Sequence, residues 1–270
     1  MAANTSTSTD MACNPPAPSA LADRYVMRMV MQPIMSLSHP FETLNFEMLL
    51  RVNELQSGKS TPPDMLVAEA EKNGSVGSID RWVLRSSLQW LDKHAAELQN
   101  TQFATVNVSA ASFNDPVFHD ELLKQIDSFS SPTRLCIEIT ESVALADFEF
   151  ARGAIRDLRL RGVRVAIDDF GAGHASFTYL RELSVDAIKI DGALVKSIGS
   201  DRKCAHIVSS LCAVAKALGI KVIAEWAEDK ETIEALRVMG ADYVQGYAIS
   251  AAREPDEILG AGTLGNLLLP

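Results

Sequence analysis

After about Ala20, short apolar runs alternate with longer amphipathic stretches. "RYVMRMVMQPIMSL" and "TLNFEMLLRV" read as two strands, the second ending near Arg51, and "SGKSTPP" reads as a loop. "DMLVAEAEKNG" and "SIDRWVLRSSLQWLDKHAAEL" read as helices, the latter with Ile79, Trp82, Val83 and Leu88 on one apolar stripe. Beyond that point one unit recurs: short apolar strand, loop, amphipathic helix. The strands are "FATVNV", "RLCIEI", "VRVAI", "AIKI", "KVIAE" and "DYVQG"; the helices include "PVFHDELLKQIDSF", "FEFARGAIRDLRLRG" and "RKCAHIVSSLCAVAKALG". Gly162 and Gly219 stand where helices commonly end. Strands alternating with helices predict a parallel sheet, and so many successive units favour a closed (β/α) barrel over an open sheet.

Polar residues close the strands: Asn107, Glu138, Asp168, Lys189, Glu225 and Gln245, separated by 20 to 36 residues. In a barrel these ends converge on one face, where active sites form. The plain alternative is that strands end in polar residues because loops are wet. The stretch "VAIDDFGAG" sharpens the question, because two adjacent carboxylates follow an apolar run. Glu47, inside "EMLLR", joins the set, with Glu141, Glu228 and Asp191 close by in sequence. Oxygen donors of this kind suit Mg²⁺ or Mn²⁺. A pair of such ions about 3.5–4 Å apart is the usual device for in-line phosphodiester displacement, and their charge makes two neighbouring acids tolerable. Phe170 and the flanking glycines are then expected to form a mobile loop beside the metals.

Composition narrows the partners. The 270 residues carry a formal net charge of −10, which argues against a nucleic-acid polymer or an anionic membrane surface as the partner. No apolar stretch approaches the roughly 18 residues of a membrane helix. Cys13, Cys136, Cys204 and Cys212 form no CxxC pair and read as reduced thiols of a cytoplasmic protein. Residues 1–20 are rich in Ser, Thr and Pro and read as a disordered lead; residues 21–270 read as the barrel domain.

"EMLLR", "NVSAASF", "EITES", "DDFGAGHASFTYL", "IKID", "AEWAE" and "QGY" occur in this order, and with "MQPI" near the start they resemble the successive motifs of EAL-domain proteins. The family comprises phosphodiesterases that hydrolyse cyclic di-GMP to linear pGpG. The resemblance implies a modified TIM (β/α)8 barrel with one reversed strand and a homodimer formed near the Asp168–Tyr179 loop and the helix after it. It implies two Mg²⁺ or Mn²⁺ ions per site. Glu47, Asn107, Glu138 and Asp168 resemble the ligands of the first; Asp168 and Asp169, helped by Glu225, resemble those of the second. Lys189 matches the residue that helps activate water. Arg51 and Gln245 match residues that meet substrate or hold the site, with Asp191 beside them, and Glu141 matches the anchor of the loop after Asp169. Met48, Ala172, His174, Trp226 and Ala227 depart from the pattern, and Trp226 places a bulky ring where the family holds Gly.

Several roles stay open on the sequence. Lys189 could abstract the proton or only orient water. Glu141 and Glu228 could be structural acceptors, and Asp191 could cap the helix of "GALVKSI". Three functions remain distinct: a metal-dependent cyclic di-GMP phosphodiesterase, a catalytically silent receptor for the nucleotide, and an interaction module that has lost nucleotide binding.

Overall fold

The structure, a computed structural model, describes residues 17–140, 147–172 and 177–269. The strands are β1 (Tyr25–Ser36), β2 (Asn45–Glu54), β3 (Ser60–Thr61), β4 (Ala104–Val108), β5 (Leu135–Thr140), β6 (Arg164–Phe170), β7 (Ala187–Ile190), β8 (Lys221–Ala224) and β9 (Tyr243–Gln245). Their order is β1-β9-β8-β7-β6-β5-β4-β2-β3, with β1 also paired to β2. The pairing of β1 with β2 closes the sheet, and β3 hangs on β2 outside the ring, so eight strands form the barrel. All pairs from β2 through β4 to β9 are parallel, whereas β1 runs antiparallel to both its neighbours. The expected barrel with one reversed strand is therefore the fold, and β1 is the reversed strand. The loop read for "SGKSTPP" holds the two-residue β3, paired to Val52 and Asn53.

Alternation along the strands separates two cores. Outward-facing Val106, Ile137, Ile139, Val165, Ile167, Ile188, Val222 and Val244 pack with the surrounding helices in one large apolar cluster. Inside the barrel, Ile34, Phe103, Cys136, Ala166, Ala187 and Ile223 form a smaller apolar layer. Two residues further along their strands, on the same face, stand Glu138, Asp168, Lys189 and Glu225. The lumen is thus oily at one end and ionisable at the other, the end at which the parallel strands finish. Helices close as their residues dictate: Gly219 is a left-handed C-cap at φ 73°, and Gly162, at φ 84°, follows the Phe148–Leu160 helix.

The barrel corrects one expectation. Phe170 is not part of a mobile loop; it is the last residue of β6 and is fully buried in the outer core. The pairing register of β6 with β7 shifts between Ile167 and Phe170, and Asp169 in that interval has φ 55°.

Candidate active site at the barrel mouth

In a regular strand, Asp168 and Asp169 would point to opposite faces. The irregularity in β6, with Asp169 in the left-handed region that Asp adopts more readily than most residues, brings them together. Ligand atoms of Asp168, Asp169 and Glu225 all lie within 4.8 Å of one another. The Asp169 amide donates to Asp168 Oδ1 at 3.0 Å.

Lys189 occupies the centre. Its side chain is 1% exposed, and Nζ lies 2.8 Å from Glu225 Oε1, 3.1 Å from Glu138 Oε2, 3.2 Å from Asp168 Oδ1 and 3.4 Å from Glu47 Oε2. Burial alone would lower its pKa, but the carboxylates of Glu138, Glu47, Asp168 and Glu225 outweigh it and hold the ammonium well above its usual range.

The acids differ among themselves. Burial raises Glu47, but Lys189 and hydrogen bonds from Gln245 and Asn107 outweigh burial and leave it below the ordinary value. Those bonds are Asn107 Nδ2 to Oε1 at 2.6 Å and Gln245 Nε2 to Oε2 at 2.8 Å. Burial, with Glu47 and Asp168 nearby, pushes Glu138 well up despite Lys189. Burial and Asp168 push Glu225 up to about 7, again against Lys189. Burial and Asp168 also raise Asp169. Four acids around one ammonium are short of positive charge. Glu138 Oε1 is buried without a hydrogen-bond partner among the described residues. An orphaned carboxylate oxygen and a cluster of hard oxygen donors both fit a divalent cation.

The remaining expected residues fall around this centre. Arg51 lines a cavity of about 860 Å³ together with Glu47, Asn107, Asp168 and Asp169. Its Nη1 donates to the Leu50 carbonyl at 3.1 Å, and it forms no ion pair among the described residues. Gln245, 4% exposed, is spent on Glu47, so the structure shows it holding a carboxylate. Asp191 caps the Gly192–Ser197 helix, accepting from the amides of Ala193 and Leu194. Glu228 pairs with Lys196 at 3.1 Å on the surface. Glu141, Gly173 and His174 lie outside the described residues. Another cavity, of about 910 Å³, lies against the Phe148–Leu160 helix. Two of its four arginines, Arg152 and Arg159, are already paired with Glu149 and Asp186, and among the described residues its acids do not converge as a metal-holding group.

Sequence reasoning missed Asp80. It is buried on the Val76–Lys93 helix beside the apolar stripe, lines the 860 Å³ cavity, and accepts from Ser109 Oγ at 2.6 Å. Ser109 in turn caps the turn that follows β4. An acid immediately after Ile79 and two residues before Trp82 was the available signal.

Fold and site together define a barrel that carries an oxygen-rich, cation-fitting carboxylate cluster at the finishing end of its parallel strands. The chain belongs to the EAL domain family, which matches residues 19–252. It is 36% identical over 219 residues to the cyclic di-GMP phosphodiesterase PdeB of Shewanella oneidensis, covering 81% of this chain and 25% of that protein. It is 34% identical over 204 residues to the cyclic di-GMP phosphodiesterase PdeF of Escherichia coli, covering 75% of this chain and 27% of that one. The chain therefore spans about a quarter of the length of these curated relatives. Among solved structures, the PaMucR phosphodiesterase in complex with c-di-GMP superposes with a TM-score of 0.79 at 28% identity, over 86% of this chain and 94% of that one. The FimX EAL domain from Pseudomonas aeruginosa bound to c-di-GMP gives 0.76 at 28% identity, over 84% and 90%.

Proposed function

We propose that this chain is a metal-dependent phosphodiesterase that hydrolyses cyclic di-GMP to linear pGpG. The observation that carries the reading is the meeting of Glu47, Glu138, Asp168 and Glu225 on Lys189, with Asp169 turned into the same cluster. Glu47, Asn107, Glu138 and Asp168 would hold one Mg²⁺ or Mn²⁺ ion; Asp168, Asp169 and Glu225 would hold a second. Bound there, the pair supplies Lewis-acid stabilisation to both the attacking and the leaving oxygen.

The chain's own residues do the rest. Asn107 and Gln245 fix both oxygens of Glu47. Arg51, without a carboxylate partner among the described residues, meets a phosphate oxygen of the substrate with its planar guanidinium. Lys189, held as an ammonium by its carboxylates, orients the attacking water, and Glu141 anchors the loop after Asp169. Asp191 sets the segment that borders the nucleotide. One water is consumed: its oxygen bonds phosphorus, the P–O3′ bond breaks, and the 3′ oxygen leaves with a proton. The 5′-phosphate of pGpG is the result.

Homodimerisation around the Asp168–Tyr179 segment and a cytoplasmic location belong to the same reading. Among the described residues no helix is long and apolar enough to cross a membrane. The test is incubation with cyclic di-GMP and Mg²⁺ or Mn²⁺, followed by chromatography. The expected outcome is a pGpG peak. Binding without product would replace the enzyme by a silent receptor, and neither would leave an interaction module.

A further inference from the structure

Among the described residues, two non-glycine positions have positive φ: Asp169 at 55° and Trp226 at 51°. Left-handed backbone is a small cost for Asp and a larger one for a bulky ring. Such strain concentrates at functional sites. Asp169 is explained by the carboxylate cluster. Trp226 directly follows Glu225, a member of the same cluster, yet the residue is itself 56% exposed. Its other chain neighbour, Ala227, is fully buried. The left-handed turn therefore lifts one large ring out of an otherwise interior segment, at the mouth.

The ring is seated as well as exposed. A Cβ added to Gly192 would lie 2.1 Å from Trp226 Cδ2, 2.2 Å from Cγ and 2.7 Å from Cε2. Three contiguous atoms across the pyrrole edge of the indole, all that close, mean that one face of the ring lies over the Gly192 backbone. Only glycine permits this approach. One face is thus backed by β7–helix backbone, and the exposed area lies on the rest of the ring. A flat aromatic with one face seated and the other open, beside a phosphate-handling cluster, is the form of a base-stacking platform.

We propose that Trp226 stacks a purine base of the substrate, so that the departure from the family's glycine is a specificity-determining contact. This rests on the cyclic di-GMP reading above. The ring positions the nucleoside whose phosphate lies at Asp168 and Glu225; it takes no part in the bond changes.

The three tryptophans of the chain make the test direct, because Trp82 and Trp90 are 5% and 7% exposed and only Trp226 is accessible. The wild-type protein, Trp226→Phe and Trp226→Gly are titrated with cyclic di-GMP in the presence of Ca²⁺, reading both tryptophan fluorescence and calorimetric affinity. Glycine suits a φ of 51°, so Trp226→Gly keeps a melting temperature equal to or above wild type. The expected result is quenching in wild type, affinity held within a few-fold in Trp226→Phe, and affinity weakened about tenfold or more in Trp226→Gly. Wild-type binding without quenching, matched by Trp226→Gly at equal affinity, overturns the platform while leaving the nucleotide reading intact. A flat calorimetric titration of the wild-type protein overturns the nucleotide reading and the platform with it.

Discussion

Lys189 and Asp169 shape the mouth in opposite ways: one by charge, the other by backbone. Removing the Lys189 ammonium leaves Glu47, Glu138, Asp168 and Glu225 facing one another in a buried space. Lys189→Ala should therefore destabilise the metal-free protein by ~3–5 kcal/mol, the usual cost of orphaning a buried charge. Mg²⁺ should recover much of that loss, which thermal melts with and without the ion will read; equal melts for the two proteins would refute the hub. Glu47 and Met48 are adjacent but face opposite ways, Glu47 into the lumen and Met48 into the outer core. Glu47→Ala should abolish turnover. Met48→Ala should lower stability by about 2–5 kcal/mol while sparing most of the rate. Urea unfolding beside a turnover assay separates the two, and equal damage to the rate would remove Glu47 from the lumen. Most of these side chains were legible in the sequence, because the mouth is built from one polar residue per strand end. The sign of φ at Asp169 and Trp226 was not, since no side-chain pattern records a bulge that rotates one acid or lifts one ring.

Strands were legible where alternation was strong. Cys136 and Glu138, Ala166 and Asp168, Ala187 and Lys189 are pairs two residues apart that read as apolar then ionisable, and each pair lines the lumen in that order. The Lys230–Met239 helix follows from the recurring unit rather than from its own stripe, because Leu236 is its only buried residue, too thin a stripe to register as period 3.6. The limits of β6 were misread for a related reason: Phe170 follows two acids and precedes glycine, which looks like a loop, yet burial keeps it in the sheet. The ends of β8 and β9 are coupled through backbone, with the Ala227 amide donating to the Gln245 carbonyl at 3.0 Å. A Cβ on Gly246 would come within 2.2 Å of the Ala227 carbonyl oxygen. Gly246→Ala must move that segment, and with it Glu225 and Gln245. It should cut turnover at least tenfold while the far-UV circular dichroism stays native, and unchanged turnover would show that the two strand ends are not coupled to catalysis.

At the scale of the whole molecule, closure does the assembling. Residues from 47 to 245 meet because β1 runs antiparallel between β2 and β9 and completes the ring. The count of strand–helix units predicted that closure, and the family resemblance predicted that one strand reverses; that it is β1, and that Arg51, Asn107 and Asp169 share a cavity, emerged only in the folded barrel. Divalent ions should be indispensable to such a mouth. Exhaustive EDTA treatment should remove activity and Mg²⁺ or Mn²⁺ restore it, whereas Ca²⁺, larger and looser in geometry, should inhibit. Full activity after EDTA would contradict the metal reading. The most direct test of the central claim is the rate of pGpG formation from cyclic di-GMP with Mn²⁺ for wild type, Asp168→Asn and Asp169→Asn. The account predicts turnover in wild type, loss of rate in both variants, and nucleotide binding better kept in Asp169→Asn than in Asp168→Asn. Wild-type rates in both variants would mean that the paired acids are a solvated loop mouth and would contradict the account.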